Sequence, residues 1–196
     1  MTTLRLAAAA LAFGLAFGAA ALSQDEWKTV TLNGDPDFTI SIPAVVTDYS
    51  PPRGDTDGLM YFSVTAYSGV LRCHLFRGDY PQGVTQASLA AGLAVRQRRE
   101  VFCKKSGATV SDLEIGGSDS FDHDGQQAAM CLASYTDSAE TLPGIVRYRM
   151  VVAAPRVAYH LDCLAVAEDQ LDAQLDWELF WAEKVHHIQD SLRLPQ

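Results

Sequence analysis

Residues 71 to 77, LRCHLFR, set a cysteine beside a histidine inside an alternating apolar run. A thiol next to an imidazole offers three chemistries: a thiolate nucleophile, a metal ligand, or half of a disulfide. The run itself discriminates among them. Successive side chains of a strand point to opposite faces, so Leu71, Cys73 and Leu75 share one face and Arg72, His74 and Phe76 the other. A later run, VAYHLDCLAV (157 to 166), repeats the arrangement, with Tyr159, Leu161, Cys163 and Ala165 on one side and His160 and Asp162 on the other. Both thiols therefore stand in apolar rows, away from the electropositive, part-exposed setting that a catalytic thiolate needs.

Other short stretches also gather chemistry-bearing residues. EKVHHIQD (183 to 190) places Glu183 three and four residues before His186 and His187. Helical dimetal sites use a Glu-x-x-His spacing twice, and one copy reads instead as a solvated face with histidines near a helix C-terminus. GGSDSFDHDGQQ (116 to 127) collects Asp119, Asp122, His123 and Asp124 before Gly125. A calcium loop built on that glycine would have Ser120 at its first position and Cys131 where a bidentate Glu belongs, so the stretch reads as an acidic hairpin tip. Arg-Gly-Asp occurs at 53 to 55 and at 77 to 79, where Gly-Asp is ordinary turn chemistry. A basic cluster, Arg96, Arg98, Arg99, Lys104 and Lys105, is a candidate patch for an acidic partner. The chain has no G-x-S-x-G elbow, H-E-x-x-H helix, phosphate-cradling glycine loop or Rossmann fingerprint. No catalytic, cofactor-binding or metal-ligating residue is assigned.

The compartment follows from the N-terminus and the cysteines. Residues 1 to 23 carry one early positive charge, Arg5, then an unbroken run of Ala, Leu, Phe and Gly that ends in small residues. This reads as a secretory signal peptide, with Ala21 and Ser23 marking a cut before Gln24. Residues 24 to 196 then form a single domain of periplasmic or secreted location, with no membrane insertion after cleavage. Its 24 acidic side chains outnumber the 15 basic ones of the whole chain, for a formal net charge of −9. Such a balance argues against nucleic acid as a partner, because that binding depends on neutralising phosphates. It argues equally against adsorption to an anionic membrane face. Four cysteines in an exported chain, Cys73, Cys103, Cys131 and Cys163, suggest two disulfides, and their spacing matches neither CxxC redox motifs nor paired zinc-ligand patterns.

Strands and helices must position these groups. WKTVTL (27 to 32) and FTISIP (38 to 43) flank a turn-rich break and read as a first hairpin. DYSPPRGDTDG (48 to 58) reads as a surface loop. MYFSVTAY (60 to 67) and VLRCHLFR (70 to 77) form a second hairpin around Ser68 and Gly69. From Thr85 to about Lys105 the period changes from two to 3.6, with Thr85 a plausible N-cap, Gly107 a plausible stop, and Leu89, Ala90, Leu93, Ala94, Gln97 and Val101 on one face. TVSDLEIG (109 to 116), QQAAMCLASY (126 to 135), GIVRYRMVVA (144 to 153) and VAYHLDCLAV follow as an antiparallel meander. A last helix from about Asp172 to Leu192 repeats Trp177, Trp181, Val185, Ile188 and Leu192 at helical spacing. The plan is α+β, an antiparallel sheet of about six to eight strands covered by two helices, in the order ββββαββββα.

In a simple meander the strand 144 to 153 separates Cys131 from Cys163 by about two strand spacings, roughly 9 to 10 Å, beyond bridging distance. Cys103, near the end of the first helix, is then expected to pair with Cys131 or with Cys163.

FTISIP, a hairpin, a long helix ending in KKSGATVSDLEIGG, a meander and a terminal helix ending in IQDSLRL together resemble the PsbP-like and Mog-like α/β/α sandwich superfamily. The resemblance covers nearly all of residues 24 to 196. It implies a non-catalytic binding or accessory module for a protein partner, with no active-site residue to carry over. The four cysteines depart from its usual members. Two rival readings remain: a metal-dependent hydrolase using Asp122, His123 and Asp124 or Glu183, His186 and His187, and a carrier of a small apolar ligand between sheet and helix.

Overall fold

The period-two stretches become strands close to where alternation places them. The computed structural model describes residues 27–33, 35–46, 48–50, 58–66, 69–104, 113–135, 144–167 and 170–195. The expected leader, the helix stop at Gly107, Lys105 and most of the loop 48 to 58 lie outside the described residues. The strands are β1 (Trp27–Leu32), β2 (Asp35–Pro43), β3 (Asp48–Ser50), β4 (Gly58–Ala66), β5 (Gly69–Asp79), β6 (Leu113–His123), β7 (Gln126–Tyr135), β8 (Gly144–Ala153) and β9 (Val157–Ala167). β1 and β2 form a separate two-stranded hairpin. The other seven form one antiparallel sheet in the order β3-β4-β5-β9-β8-β7-β6.

Two meanders thus meet at the β5–β9 pair, whose register runs through ten residue pairs from Val70 and Val166 to Asp79 and Val157. Cys73 lies directly opposite Cys163 in that ladder and is bonded to it. The expected Cys103–Cys163 pairing is thereby excluded. Adjacency of β5 and β9, strands some ninety residues apart, is a tertiary choice that alternation within each strand does not reveal.

The first face of the sheet carries the main core. Leu71, Cys73 and Leu75 of β5 alternate inward with Phe62 and Val64 of β4, Tyr148, Met150 and Val152 of β8, and Leu161, Cys163 and Ala165 of β9. The terminal helical run and the β1–β2 hairpin cover it. Phe38, Ile40 and Ile42 of β2 are buried at period two, and Trp177, Trp181, Val185, Ile188 and Leu192 line the facing helical stripe. Fully burying side chains of this size contributes about 1.5–3 kcal/mol each. These rings and branches fill the centre of the space between sheet and helix, and a pocket of about 270 Å³ remains at its edge, between Leu132 and Val146 of the sheet and Gln174 and Trp177 of the helical run. The second face carries a smaller cluster of Leu93, Ala129, Val151, Ala153 and Ala158 beneath α1 (Gln86–Ala94) and α2 (Arg96–Lys104).

Four features depart from the expected element order. Asp48–Ser50, expected within a loop, is the edge strand β3, pairing with Tyr61 to Ser63 of β4. Arg77–Asp79, expected as turn chemistry, continues β5 and pairs with Val157 to Tyr159. The first helix is broken at Val95, whose extended backbone (φ −95, ψ 119) ends α1. Arg99 reaches back to make that break tenable: its Nη1 donates to the carbonyls of Leu93 at 2.8 Å and Ala94 at 3.0 Å. Orphan carbonyls at a helix end favour such a cation. The last helix divides into α3 (Gln170–Asp176), a π-helical turn (Trp177–Trp181) and α4 (Ala182–Ser191). The Ala182 N–H donates to the Trp177 carbonyl, five residues back, as in the π-bulges that interrupt α-helices.

Local signals hold elsewhere. Thr85 caps α1 in a reciprocal box with Ser88, each side chain bonded to the other's backbone N–H. The stretch 116 to 127, expected as an acidic hairpin tip after a strand ending at 116, is mostly strand, since β6 runs on to His123 and pairs with β7. The tip itself is a two-residue loop in which Asp124 (φ 51) and Gly125 (φ 76) both take positive φ, the pattern of a type I′ hairpin turn. Gly69 answers a different need. A Cβ there would stand 2.5 Å from the Val166 carbonyl oxygen and 3.0 Å from Asp176 Oδ2. Gly69→Ala is expected to cost about 1–3 kcal/mol of stability through this overpacking. Gly117→Ala, at a site with nothing within 4 Å of the added carbon, is the control. Urea midpoints at unchanged slope measure both.

Candidate functional site

The second face of β4, β5, β9 and β8 concentrates polar side chains in register. Tyr61 faces His74, His74 faces Asp162, and Asp162 faces Arg149, forming one row across four strands. The next row runs Ser63, Arg72, Leu164 and Arg147. Each belongs to the half of the alternation that the apolar core does not use.

Asp162 is the electrostatic centre of this array. The Arg147 guanidinium grips its carboxylate with two bonds, Nε to Oδ1 at 2.8 Å and Nη2 to Oδ2. Arg149 Nε approaches the same carboxylate at 3.6 Å. Such a planar fork on a carboxylate fixes both partners in orientation as well as energy. Arg149 is largely buried, and burial pulls its pKa down from the usual guanidinium value, against the opposing pull of Asp162. Its guanidinium lies 4.9 Å from the centroid of Phe102, near the end of α2, and donates to the Phe102 carbonyl at 3.3 Å.

His160 fills the gap between strand and helix. Its ring stacks on Phe76 at 4.8 Å and 9°, with Phe102 on hand at 5.9 Å. His160 Nδ1 is buried and has no hydrogen-bond partner among the described residues. Burial first, then the Arg149 charge, push its pKa down to about 4, Asp162 opposing. His74 is exposed, edge-on to Tyr61 and beside Phe76 at 5.0 Å. Burial also lowers its pKa, against Asp162.

The groups singled out from sequence have other employment. His123 is 6% exposed, and its Nε2 lies 3.0 Å from the Leu192 carbonyl oxygen, tying the hairpin tip to the end of α4. Asp122 Oδ1 accepts from Gly125 N at 3.0 Å inside the turn. Asp124 accepts from Leu194 N at 3.4 Å and lies 3.7 Å from Arg193. Of the second group, His187 packs on Trp27 at 4.0 Å and His186 stands edge-on to Tyr148 at 5.8 Å. Among the described residues no three His, Cys, Asp or Glu side chains gather as a metal-binding group.

The basic cluster is described only in part. Arg99 is 8% exposed and serves the α1 terminus, so it is corrected from a surface cation to a helix cap. Arg96 pairs with Glu100 at 2.9 Å, while the Arg98 side chain is exposed near Gly92. The Lys104 side chain and Lys105 lie outside the described residues. A groove of about 840 Å³ opens where the start of β2, the β6–β7 tip, the β8–β9 turn and residues 193 to 195 meet. Its charged residues are Asp37, Asp124 and Arg193, the last two facing each other.

No known protein family and no curated protein matches the chain. Solved structures do resemble it in fold. One is the cyanobacterial PsbP of Synechocystis sp. PCC 6803, at 14% identity, covering 89% of this chain and 96% of that one with a TM-score of 0.49. LpqN of Mycobacterium tuberculosis, described as involved in cell envelope biogenesis, is 14% identical over 84% of this chain and 88% of its own, TM-score 0.48. A Pseudomonas aeruginosa protein of unknown function, PA94, is 12% identical over 85% and 96%, TM-score 0.46. None of the three is described as a Mog-like protein.

A lowered imidazole pKa has a consequence for stability. An unfolded histidine takes up its proton near pH 6.5, whereas folded His160 resists until about pH 4. Stability from this residue is complete above about 6.5, is lost as pH falls through that window, and levels off below about 4, a total of roughly 3 kcal/mol. His160→Phe, which keeps the stack and removes the titration, is expected to flatten that part of the urea-midpoint profile. His74 and His123, whose pKa values are also lowered by burial, contribute in the same direction.

Proposed function

We propose that this chain is an exported, non-catalytic binding or accessory module that engages a protein partner and is held by two disulfides. One observation carries the reading. Asp122, His123 and Asp124 are engaged by the hairpin turn and the chain's C-terminal end, and His186 and His187 lie against Tyr148 and Trp27, while the second sheet face keeps Arg72 and His74 exposed beside Tyr61 and Phe76. A catalytic acid or base must reach its substrate. Here the most shifted imidazole, His160, is instead closed in by Phe76 and Phe102.

Cys73–Cys163 supports the oxidising compartment, since such bonds persist where thiols are not kept reduced. The second bridge of the proposal is Cys103–Cys131. Cys131 is disulfide-bonded, Cys73 and Cys163 are taken by each other, and α2 packs across β7. No helix among the described residues is long and apolar enough to cross a membrane.

Protein recovered from an oxidising export compartment is expected to begin at Gln24, to weigh four hydrogens less than the reduced chain, and to yield peptides joining Cys73 to Cys163 and Cys103 to Cys131. Free thiols at Cys103 and Cys131 would remove the second bridge. An uncut N-terminus would remove the proposed leader.

A further inference from the structure

The binding surface and the chemistry of its partner can be taken one step further, on the footing of the module reading above. We infer that the open face of β4, β5 and β9, centred on Arg72 and His74, receives an acidic, apolar-bearing extended segment of a partner protein.

The argument is one of charge and shape. The chain as a whole is acidic, with a formal net charge of −9, yet the two polar rows of this face hold three arginines, Arg72, Arg147 and Arg149, against one carboxylate. That carboxylate, Asp162, is saturated by Arg147 and Arg149. Its neutralisation leaves Arg72 as the exposed cation of the patch, with the His74 ring alongside as a neutral hydrogen-bonding group. The Arg72 charge stands on a sheet surface and opposes the field of the rest of the molecule.

Apolar strips border Arg72 and His74 on both sides. Phe76 lies at one end, and Val70 and Val166, facing each other in the β5–β9 ladder, lie at the other, all partly exposed. Leu164 stands between, opposite Arg72. A segment whose every second side chain, the set that faces this surface, reads apolar, acidic, acidic, apolar would match the row Val70, Arg72, His74 and Phe76, because successive residues of an extended chain point to opposite faces. Nucleic acid, the other polyanion that seeks arginines and aromatic rings, is disfavoured by the surrounding negative charge. The helix cations Arg96 and Arg98 form the competing surface, and Arg96 is already paired with Glu100.

Two measurements test this on the chain cut before Gln24. In the first, backbone amide NMR shifts are followed while a capped eight-residue peptide, Val-Ser-Glu-Ser-Glu-Ser-Val-Ser, is added, with a Gln-for-Glu peptide as comparison. The expected result is salt-sensitive shifts at Tyr61, Arg72, His74 and Phe76 with the Glu peptide, weakened about tenfold or more by Arg72→Glu and not by Arg98→Glu. Equal binding of the Gln peptide, shifts confined to α2, or no shifts would overturn the inference. In the second, photo-crosslinkers placed at positions 74 and 98 of the exported chain are irradiated in the cell and the captured peptides sequenced. Capture at 74 of an Asp- or Glu-rich peptide supports the inference. Capture only at 98 overturns it and leaves the module reading standing, whereas capture at neither position tells against both.

Discussion

The antiparallel pairing of β5 with β9 is the interaction on which the rest of the molecule depends. It joins a meander of β3, β4 and β5 to a meander of β6 through β9, and the chain between them passes through α1 and α2. Pairing residues ninety positions apart incurs a loop-closure cost before any contact rewards it. The Cys73–Cys163 bond acts on that cost by removing extended states from the unfolded ensemble. It sits in the middle of the ladder, on the buried side, where both cysteines are fully covered. Without this pair the first-face core would split in two, and His74 would not lie opposite Asp162.

Once that register is set, period two divides the labour of the sheet. One set of side chains builds a continuous apolar surface for Trp177, Trp181, Val185 and Ile188. The alternate set, in the same strands, is freed to be polar, and its charges must then be reconciled with partial burial. Arg149 shows how. A mostly buried guanidinium is tolerable because Asp162 faces it, Phe102 offers both a ring face and a carbonyl, and Arg147 completes the carboxylate on its other side. The end of α2 is therefore docked by an ionic and aromatic contact rather than by apolar burial alone. α1, by contrast, rests on the small apolar cluster around Leu93 and Val151.

What could be read from the chain beforehand was whatever is decided within a few residues. The extents of β1, β7 and β8, the cap at Thr85, the tip at Asp124 and Gly125, and the buried stripe from Trp177 to Leu192 all follow from local period or local turn chemistry. The break at Val95 has no glycine or proline to announce it, and it depends on a side chain four residues later reaching back to two carbonyls. The π turn and the short strand β3 are likewise settled by what packs beside them. The polar rows escaped notice for the same reason: Tyr61, His74, Arg149 and Asp162 come from four strands and meet only through register. A signal was nonetheless present. Charged residues at alternate positions inside strongly apolar runs, Arg147 and Arg149 in GIVRYRMVVA and His160 and Asp162 in VAYHLDCLAV, mark a strand with two different faces to satisfy.

Perturbed titration marks both functional sites and structural networks, and at His160 and His123 its cause is burial between packed elements. Burial and a neighbouring arginine hold His160 neutral, which readies it neither to give a proton at neutral pH nor, enclosed by Phe76 and Phe102, to take one from a bound molecule. His123 is lowered mainly by burial and faces a backbone carbonyl. In each case the shift measures how completely the ring has been enlisted in holding two elements together. Arg72 and His74, by contrast, stand exposed on the sheet, where their orientation is set by the same register that seats Asp162 opposite His74. Any affinity of such a face would come from complementary charge and covered apolar area, since a sheet surface offers both in fixed rows.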